Sequence, residues 1–350
     1  MFALVLAGFI HSSQPQMVKL MGVDSPEWIN FDEAQADILK NNHANAIRWG
    51  IYADWWTDNI WAWPYPGDPD MRYQAKHLRI AEWLRQRDVR LILCGCGFDW
   101  NPLEGWVQMK NDVIMNADGK GDQWIAEFGD AISKLQPYGI NVMNEPETVV
   151  GTSYESTMTQ EELFESYRQF VIRAMNAWRA IKPDLVGVVS GCPFWDLKPL
   201  AVNPIPLPNI VYGYHRHYFY EGHPLPEWEH PIADMAYWNG QLAEGKALLY
   251  DEFLNERGFQ AVLDAGLDLC IIEIGVGNEA NNAKVWMQDV YDFCKARGIG
   301  VLHHGWGPYP RREHPTTCAA NHEGFQVDCT RFQILRRSNR FDSFQWSFRK

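Results

Sequence analysis

No stretch of this 350-residue chain approaches the roughly 18 consecutive apolar residues that would span a bilayer, so no membrane-embedded helix is expected. Positive charge is scarce. Lys and Arg number 31 against 44 Asp and Glu, a net charge of −13. So acidic a surface repels phosphate backbones, which argues against a nucleic-acid partner and favours neutral ligands over anionic ones. The turn after the first apolar run reads Gly22-Val23-Asp24-Ser25-Pro26, so no dinucleotide fingerprint is present. No Cys-x-x-Cys pair occurs, and the spacing Cys94-x-Cys96 alone is weak evidence for a metal. Low-complexity linkers and mid-chain charge runs are also missing. The Pro-rich stretch from Pro193 to Pro208 sits between strand-like runs and reads as a loop. Residues 1–350 are therefore read as one domain, within the size of a single α/β barrel.

Seven Cys cannot all pair. Cys94, Cys192 and Cys270 lie in or beside apolar runs and read as buried thiols; Cys318 and Cys329, in a polar stretch, are the best disulfide candidates. The apolar segment Phe2–Ile10 has signal-peptide length but no basic leader or small-x-small cleavage site. It reads instead as part of a β-hairpin at the barrel floor, with a first strand over Phe2–Phe9, a turn over His11–Gln16 and a return over Met17–Gly22. The compartment is expected to be extracellular and the chain monomeric.

What the chain does have is tryptophan, 17 in all. An indole is costly in a core because its N–H needs a partner, but it makes a flat platform for the apolar face of a sugar. Eight short apolar runs alternate with longer helical patterns: Val18–Val23, Ala44–Trp49, Val89–Leu93, Ile140–Met143, Leu185–Val189, Ile210–Tyr214, Leu269–Ile272 and Ile299–Leu302. Consecutive apolar residues mark parallel strands buried on both faces. Asn30-Phe31-Asp32-Glu33 and Thr159-Gln160-Glu161-Glu162 resemble capping boxes, the second opening a helix that carries Leu163, Tyr167, Phe170, Val171, Ala174 and Trp178 on one face and stops before Pro183. The pattern predicts a (β/α)8 TIM barrel.

In such a barrel, chemistry sits where strands end. Five runs end in polar or aromatic groups: Arg48-Trp49, Asn144-Glu145-Pro146, His215-Arg216-His217-Tyr218, Glu273-Ile274-Gly275 and His303-His304-Gly305-Trp306. Two of these endings carry carboxylates, Glu145 after the fourth run and Glu273 after the seventh, on strands that face each other across a barrel mouth. Paired carboxylates in unlike environments are what glycoside hydrolysis needs, one to protonate the leaving oxygen and one to attack or to activate water. The acid is expected to have a raised pKa beside the negative charge of Glu273, with a bell-shaped rate profile on the acidic side of neutral.

The order Arg48, Asn144-Glu145-Pro146, His215, Glu273-Ile274-Gly275 and Trp306 resembles glycoside hydrolase family 5, in the barrel clan of retaining glycosidases. The resemblance runs from about Val18 to Trp306. It implies Glu145 as acid/base and Glu273 as nucleophile, with Asn144 on the sugar 2-hydroxyl, Arg48 beside the nucleophile, and Trp306 under the sugar. His215 and a nearby Tyr would orient the carboxylates. Two departures stand out. The third run ends Leu93-Cys94-Gly95-Cys96-Gly97, without the family's His, and the sixth reads His215-Arg216-His217-Tyr218 where the family has His-x-Tyr. Either His217 replaces that Tyr, or Tyr218 or Tyr220 serves.

Trp55, Trp56, Trp61 and Trp63 fall in a loop after the second run, and Trp100, Trp106, Trp195, Trp228 and Trp238 follow others, so a substrate cleft lined by indoles is expected. Trp83, Trp178 and Trp286 sit on helical patterns and read as packing. The resulting expectation is a retaining endo-β-1,4-glucanase acting on a neutral β-linked oligo- or polysaccharide, with no cofactor and no metal. Endo-β-mannanase, xylanase or another β-glycanase is the alternative within the clan. A metal-dependent barrel hydrolase using His215-x-His217 and His303-His304, or a non-catalytic carbohydrate-binding barrel, is the rival outside it.

Overall fold

Eight short strands alternate with helices along the chain. The structure, a computed structural model, describes residues 19–25, 31–52, 73–97, 106–192, 196–218, 231–276, 281–304, 306–307 and 318–319. The strands are β1 (Met21–Ser25), β2 (Ala46–Tyr52), β3 (Arg90–Gly97), β4 (Gly139–Asn141), β5 (Val186–Ser190), β6 (Ile210–Tyr218), β7 (Asp268–Val276) and β8 (Gly300–His304). They pair in parallel in chain order, and β8 closes back on β1. This is a closed (β/α)8 barrel, as the alternation predicts. Most of the strands run on past the apolar residues into the polar endings; β4 instead stops at Asn141. The hairpin expected over Phe2–Gly22 lies largely outside the described residues, while Met21 and Gly22 belong to the barrel strand β1.

The helices are α1 (Glu33–Asn41), α2 (Tyr73–Gln86), α3 (Trp106–Met115), α4 (Lys120–Leu135), α5 (Gln160–Ile181), α6 (Lys198–Val202), α7 (Ile232–Trp238), α8 (Leu242–Asp251), α9 (Phe259–Asp264) and α10 (Ala283–Arg297). No helix among the described residues is long and apolar enough to cross a membrane. The predicted capping box on α5 is present: Thr159 Oγ1 accepts from Glu162 N at 3.2 Å and Glu162 Oε2 accepts from Thr159 N at 2.7 Å. Its inner face buries Leu163, Tyr167, Phe170, Val171, Ala174 and Trp178. At α1 the cap is Asp32, whose carboxylate accepts from Gln35 N at 3.0 Å, so this helix starts later than the Asn30 reading placed it.

Strand alternation divides the apolar residues into two cores. Inside the barrel lie Leu20, Ala46, Ile92, Val188, Val211, Ile272 and Leu302; their outward neighbours pack against the helices in a second, larger core. The most deeply buried indoles belong to that outer layer, and each finds an acceptor for its N–H. Trp49 reaches His77 Nδ1, Trp124 the Val142 carbonyl, Trp178 the Ile125 carbonyl and Trp286 Asp234 Oδ1, at 2.9–3.2 Å. Trp83 and Trp238 are partly buried and pack against the same core.

Behind β6 the outer layer holds a buried charge network. Arg216 pairs in two-pronged fashion with Asp234 at 2.8 Å and bonds Glu252 at 2.9 Å, Glu252 opening a π-helical turn after α8 (Glu252–Glu256). Removing one partner of such a group leaves a buried charge uncompensated.

Candidate active site

The inward positions nearest the strand ends form a polar ring above the apolar plug. β1 contributes Asp24, β2 Arg48, β3 Cys94, β4 Asn141, β5 Ser190, β6 His215 and His217, β7 Glu273 and β8 His304. Glu273 faces inward because of a register shift. Tyr214 pairs with Ile271 but His215 pairs with Glu273, so β7 carries one extra residue there. Ile272 sits in the inner core and the next residue, Glu273, also points into the lumen. A β-bulge of this kind re-aims a side chain by breaking the alternation.

Four donors converge on the Glu273 carboxylate. Arg48 Nη1 lies 3.1 Å and His215 Nδ1 3.3 Å from Oε2; His217 Nε2 and His304 Nδ1 each lie 3.2 Å from Oε1. Gly275 makes one of these contacts possible, because a Cβ there would lie 2.8 Å from His217 Nδ1. Burial favours the neutral acid, but His304, His215 and His217 outweigh it and hold Glu273 well below the ordinary carboxylate range. Its carboxylate is therefore an anion at neutral pH.

Arg48 is almost fully buried and anchors the centre. It donates to Asp24 Oδ1 at 2.8 Å, to Asn141 Oδ1 at 3.0 and 3.2 Å, and to Asn144 Oδ1. Asn141 in turn donates to the Val188 carbonyl and Ser190 Oγ, both at 3.1 Å, which ties β2, β4 and β5 together under the mouth.

Glu145 follows β4 on a backbone in the left-handed region, φ 48°. A non-glycine residue there carries local strain, which collects at functional sites. The surroundings hold it. Asn144 N donates to the Gly95 carbonyl at 2.7 Å, and Lys110 Nζ, reaching in from α3, donates to the Glu145 carbonyl at 2.8 Å and to Glu147 at 3.1 Å. The carboxylate thereby meets His215 Nδ1 at 3.1 Å. One His215 nitrogen thus bridges both carboxylates, and an oxygen of Glu145, an oxygen of Glu273 and that nitrogen all lie within 4.8 Å of one another. The expectation of a raised pKa for Glu145 is not met. Burial and the charge of Glu273 push it up, but the hydrogen bond and charge of His215, with Lys110 assisting, bring it below its ordinary value.

Exposure gives the cleft its open side. The side chains of Glu145, His217 and His304 are 30%, 23% and 22% exposed, against 10% for Glu273, 3% for Arg48 and 0% for His215. A ligand would approach from the Glu145, His217 and His304 side.

Arg48, Asn144, Glu145, His215, His217 and Glu273 are thus brought together. Tyr218 is not: it faces the helix layer, stacks on Trp286 at 5.3 Å and donates to the Asn281 carbonyl at 2.8 Å. Position 217, two residues after His215 and on the same side of the strand, reaches the carboxylate instead. At Trp306 only the backbone is described, in a two-residue strand β9 (Trp306–Gly307) pairing with β10 (Cys318–Ala319). Trp55, Trp56 and Trp61 lie outside the described residues, as do Trp63, Trp100, Trp195, Trp228 and the expected partner of Cys318, Cys329. Cys94, Cys192 and Cys270 are buried free thiols, as read; Cys94 and Cys96, where the third strand lacks His, have their sulfurs 3.7 Å apart.

The site also holds residues the sequence did not mark out, Asp24 and Asn141 in the ring and Lys110 from α3, and it brings in His304, which the sequence offered at the end of the eighth run and as a metal ligand in the rival reading. Asp24 and His304 join Glu273 in a second three-residue group with donor atoms within 4.8 Å. Both groups have the donor types that divalent ions use. Here the Arg48 guanidinium, on Asp24 and Glu273 together, already supplies the cation.

No protein-family model and no curated protein sequence matches this chain. Solved structures do match it in shape. An endocellulase from Pyrococcus horikoshii in complex with cellotetraose superposes with a TM-score of 0.63 at 16% identity, over 94% of each chain. The fold is theirs as well as this chain's. The catalytic domain of the major endoglucanase from Xanthomonas campestris gives a TM-score of 0.64 at 16% identity, over 92% of this chain and 95% of that one. The cellulose synthase subunit Z from Clostridioides difficile gives 0.60 at 15%, over 91% and 99%.

Proposed function

We propose that the protein is a retaining endo-β-1,4-glucanase of the cellulase type, with Glu145 as acid/base and Glu273 as nucleophile. The observation that carries this reading is the approach of Glu145 and Glu273 oxygens to within 4.8 Å across the mouth. Retaining glycosidases hold their two carboxyl groups about 5–5.5 Å apart, and inverting ones about 6.5–9.5 Å, to leave room for a water. The cellulase fold neighbours, one solved with cellotetraose, favour a β-linked glucan as substrate. So does the acidic balance of the chain, which disfavours anionic polymers.

In the first half-reaction a Glu273 oxygen bonds to the anomeric carbon while the glycosidic bond breaks, the leaving oxygen taking a proton from Glu145. In the second, water adds to that carbon, gives its proton to Glu145, and Glu273 departs as carboxylate. Arg48 and the three histidines hold the anion that attacks and later leaves. His215 couples the two carboxylates, and Asn144, fixed by Arg48, is placed to meet the sugar 2-hydroxyl. The reaction on this reading runs without metal or cofactor, on a monomer, outside the cell.

Glu273→Ala is expected to abolish hydrolysis of barley β-glucan and carboxymethylcellulose, and azide is expected to restore turnover of an aryl β-cellobioside, giving the α-glycosyl azide by NMR. Full activity in Glu273→Ala would remove it from the nucleophile role. Hydrolysis products on β-glucan, mannan and xylan decide the polysaccharide.

A further inference from the structure

We infer that Asp24 and His304 form a positioning couple that makes Glu273 a good leaving group, so that the second half-reaction, release of the sugar from the enzyme, depends on them more than the first does. This rests on the reading of Glu273 as nucleophile.

The contacts on Glu273 divide between its two oxygens. Arg48 and His215 serve Glu273 Oε2, and His217 and His304 serve Oε1. On Oε1, His304 is backed by a second carboxylate: its Nδ1 lies 2.7 Å from Asp24 Oδ2 and 3.2 Å from Glu273 Oε1, as on Oε2 Arg48 also meets Asp24 and His215 also meets Glu145. Asp24 is nearly fully buried, and its other oxygen accepts from Arg48. The register of β1 on β8 sets Asp24 directly beside His304. The charged and titratable groups facing His304 are therefore Asp24 on β1, Arg48 on β2, His217 on β6 with its ring 5.4 Å away, and Glu273 on β7. Burial and Arg48 oppose an imidazolium there, but the two carboxylates outweigh them and push His304 up to about 9.

A cation held on Oε1 has unequal effects on the two steps. In the first, Glu273 loses negative charge as it bonds to the sugar, so stabilising the anion slows attack or leaves it unchanged. In the second, the bond between the sugar and Glu273 breaks, its electron pair returns to the carboxylate, and the same cation stabilises the charge as it develops. Without it, each unit by which the leaving carboxyl's pKa rises costs up to about tenfold in that step.

His304→Asn tests this, since its amide keeps a neutral donor near the Nδ1 position and removes the cation. With 2,4-dinitrophenyl β-cellobioside, kcat is expected to fall by about tenfold. KM should fall in parallel and kcat/KM stay near wild type, with a burst of one dinitrophenol per site and a glycosyl-enzyme visible by intact-protein mass. Asp24→Asn, which leaves the ring in place, should shift the same parameters in the same direction. An equal fall in kcat and kcat/KM without a burst, or an unchanged kcat, would overturn the inference. NMR titration of His304 provides a readout independent of turnover: an imidazolium persisting to about pH 9 in the wild type, and titrating lower in Asp24→Asn, supports the couple. Titration near the ordinary histidine value in both sinks it. Failure of the underlying reading looks different: the wild type would form no adduct with a 2-fluoro glycoside, whatever His304 does.

Discussion

His215 illustrates how one buried side chain decides the protonation of two others. Its Nδ1 sits 3.1 Å from Glu145 and 3.3 Å from Glu273, so both carboxylates are stabilised as anions. Neighbouring negative charge alone would have raised Glu145, and that is what the sequence leads one to expect. The imidazole between the two acids reverses the sign. For an enzyme that needs Glu145 protonated and Glu273 ionised, both titrations then lie low, and the rate optimum lies on the acid side. Replacing His215 by Ala removes the hydrogen bond that lowers Glu145 while leaving burial and Glu273, which raise it. The alkaline limb of kcat/KM on β-glucan is therefore expected to move to higher pH, alongside a fall in rate at every pH. A pH–rate profile of His215→Ala whose alkaline limb stays in place, or moves lower, contradicts this account.

At the scale of elements, the eight strands were legible because parallel strands covered on both faces are written as runs of consecutive apolar residues. The strand ends were legible for the same reason, since polar groups begin where the runs stop. What such runs conceal is direction. Cys270-Ile271-Ile272-Glu273-Ile274 gives no sign that one extra residue is accommodated before Glu273, yet that bulge is what turns the carboxylate inward. Asn141 was hidden in an apolar run, and Asp24 in a turn read only for its missing glycines. Lys110 lies on a helix whose role in holding the Glu145 peptide depends on tertiary contact. The bulged end of β7 also leads to a test. Adding a methyl at Gly275 brings it against His217, a partly exposed ring that gives way more easily than backbone. Gly275→Ala is expected to displace His217 from Glu273 and lower kcat by about tenfold or more, with the far-UV circular dichroism and melting temperature close to wild type. Wild-type kcat in a folded Gly275→Ala protein would mean that the His217 contact does not matter.

For the whole molecule, the ring of charges at the barrel mouth makes stability depend on pH in two opposite ways. Glu273 and Glu145 titrate below their ordinary range in the folded state, Glu273 far below. Their contribution is complete above the ordinary carboxylate range and is lost as pH falls through the folded values. His304 runs the other way. Its folded value of about 9 lies above the ordinary 6.5, so its contribution is complete below about pH 6.5 and is lost as pH rises through about 9. The melting temperature should therefore be highest between about pH 5 and 6.5 and decline toward pH 9. A general rise in negative charge would give a similar decline, so a variant has to separate the two. Glu273→Gln removes one of the two carboxylates whose charge raises His304 and leaves Asp24, changing the net charge of −13 by a single unit. The fall in melting temperature between pH 6.5 and 9 should be shallower in Glu273→Gln than in wild type, measured side by side by calorimetry. Parallel curves for the two proteins would show that the alkaline loss comes from overall charge, with the Asp24–His304–Glu273 contact contributing nothing to it.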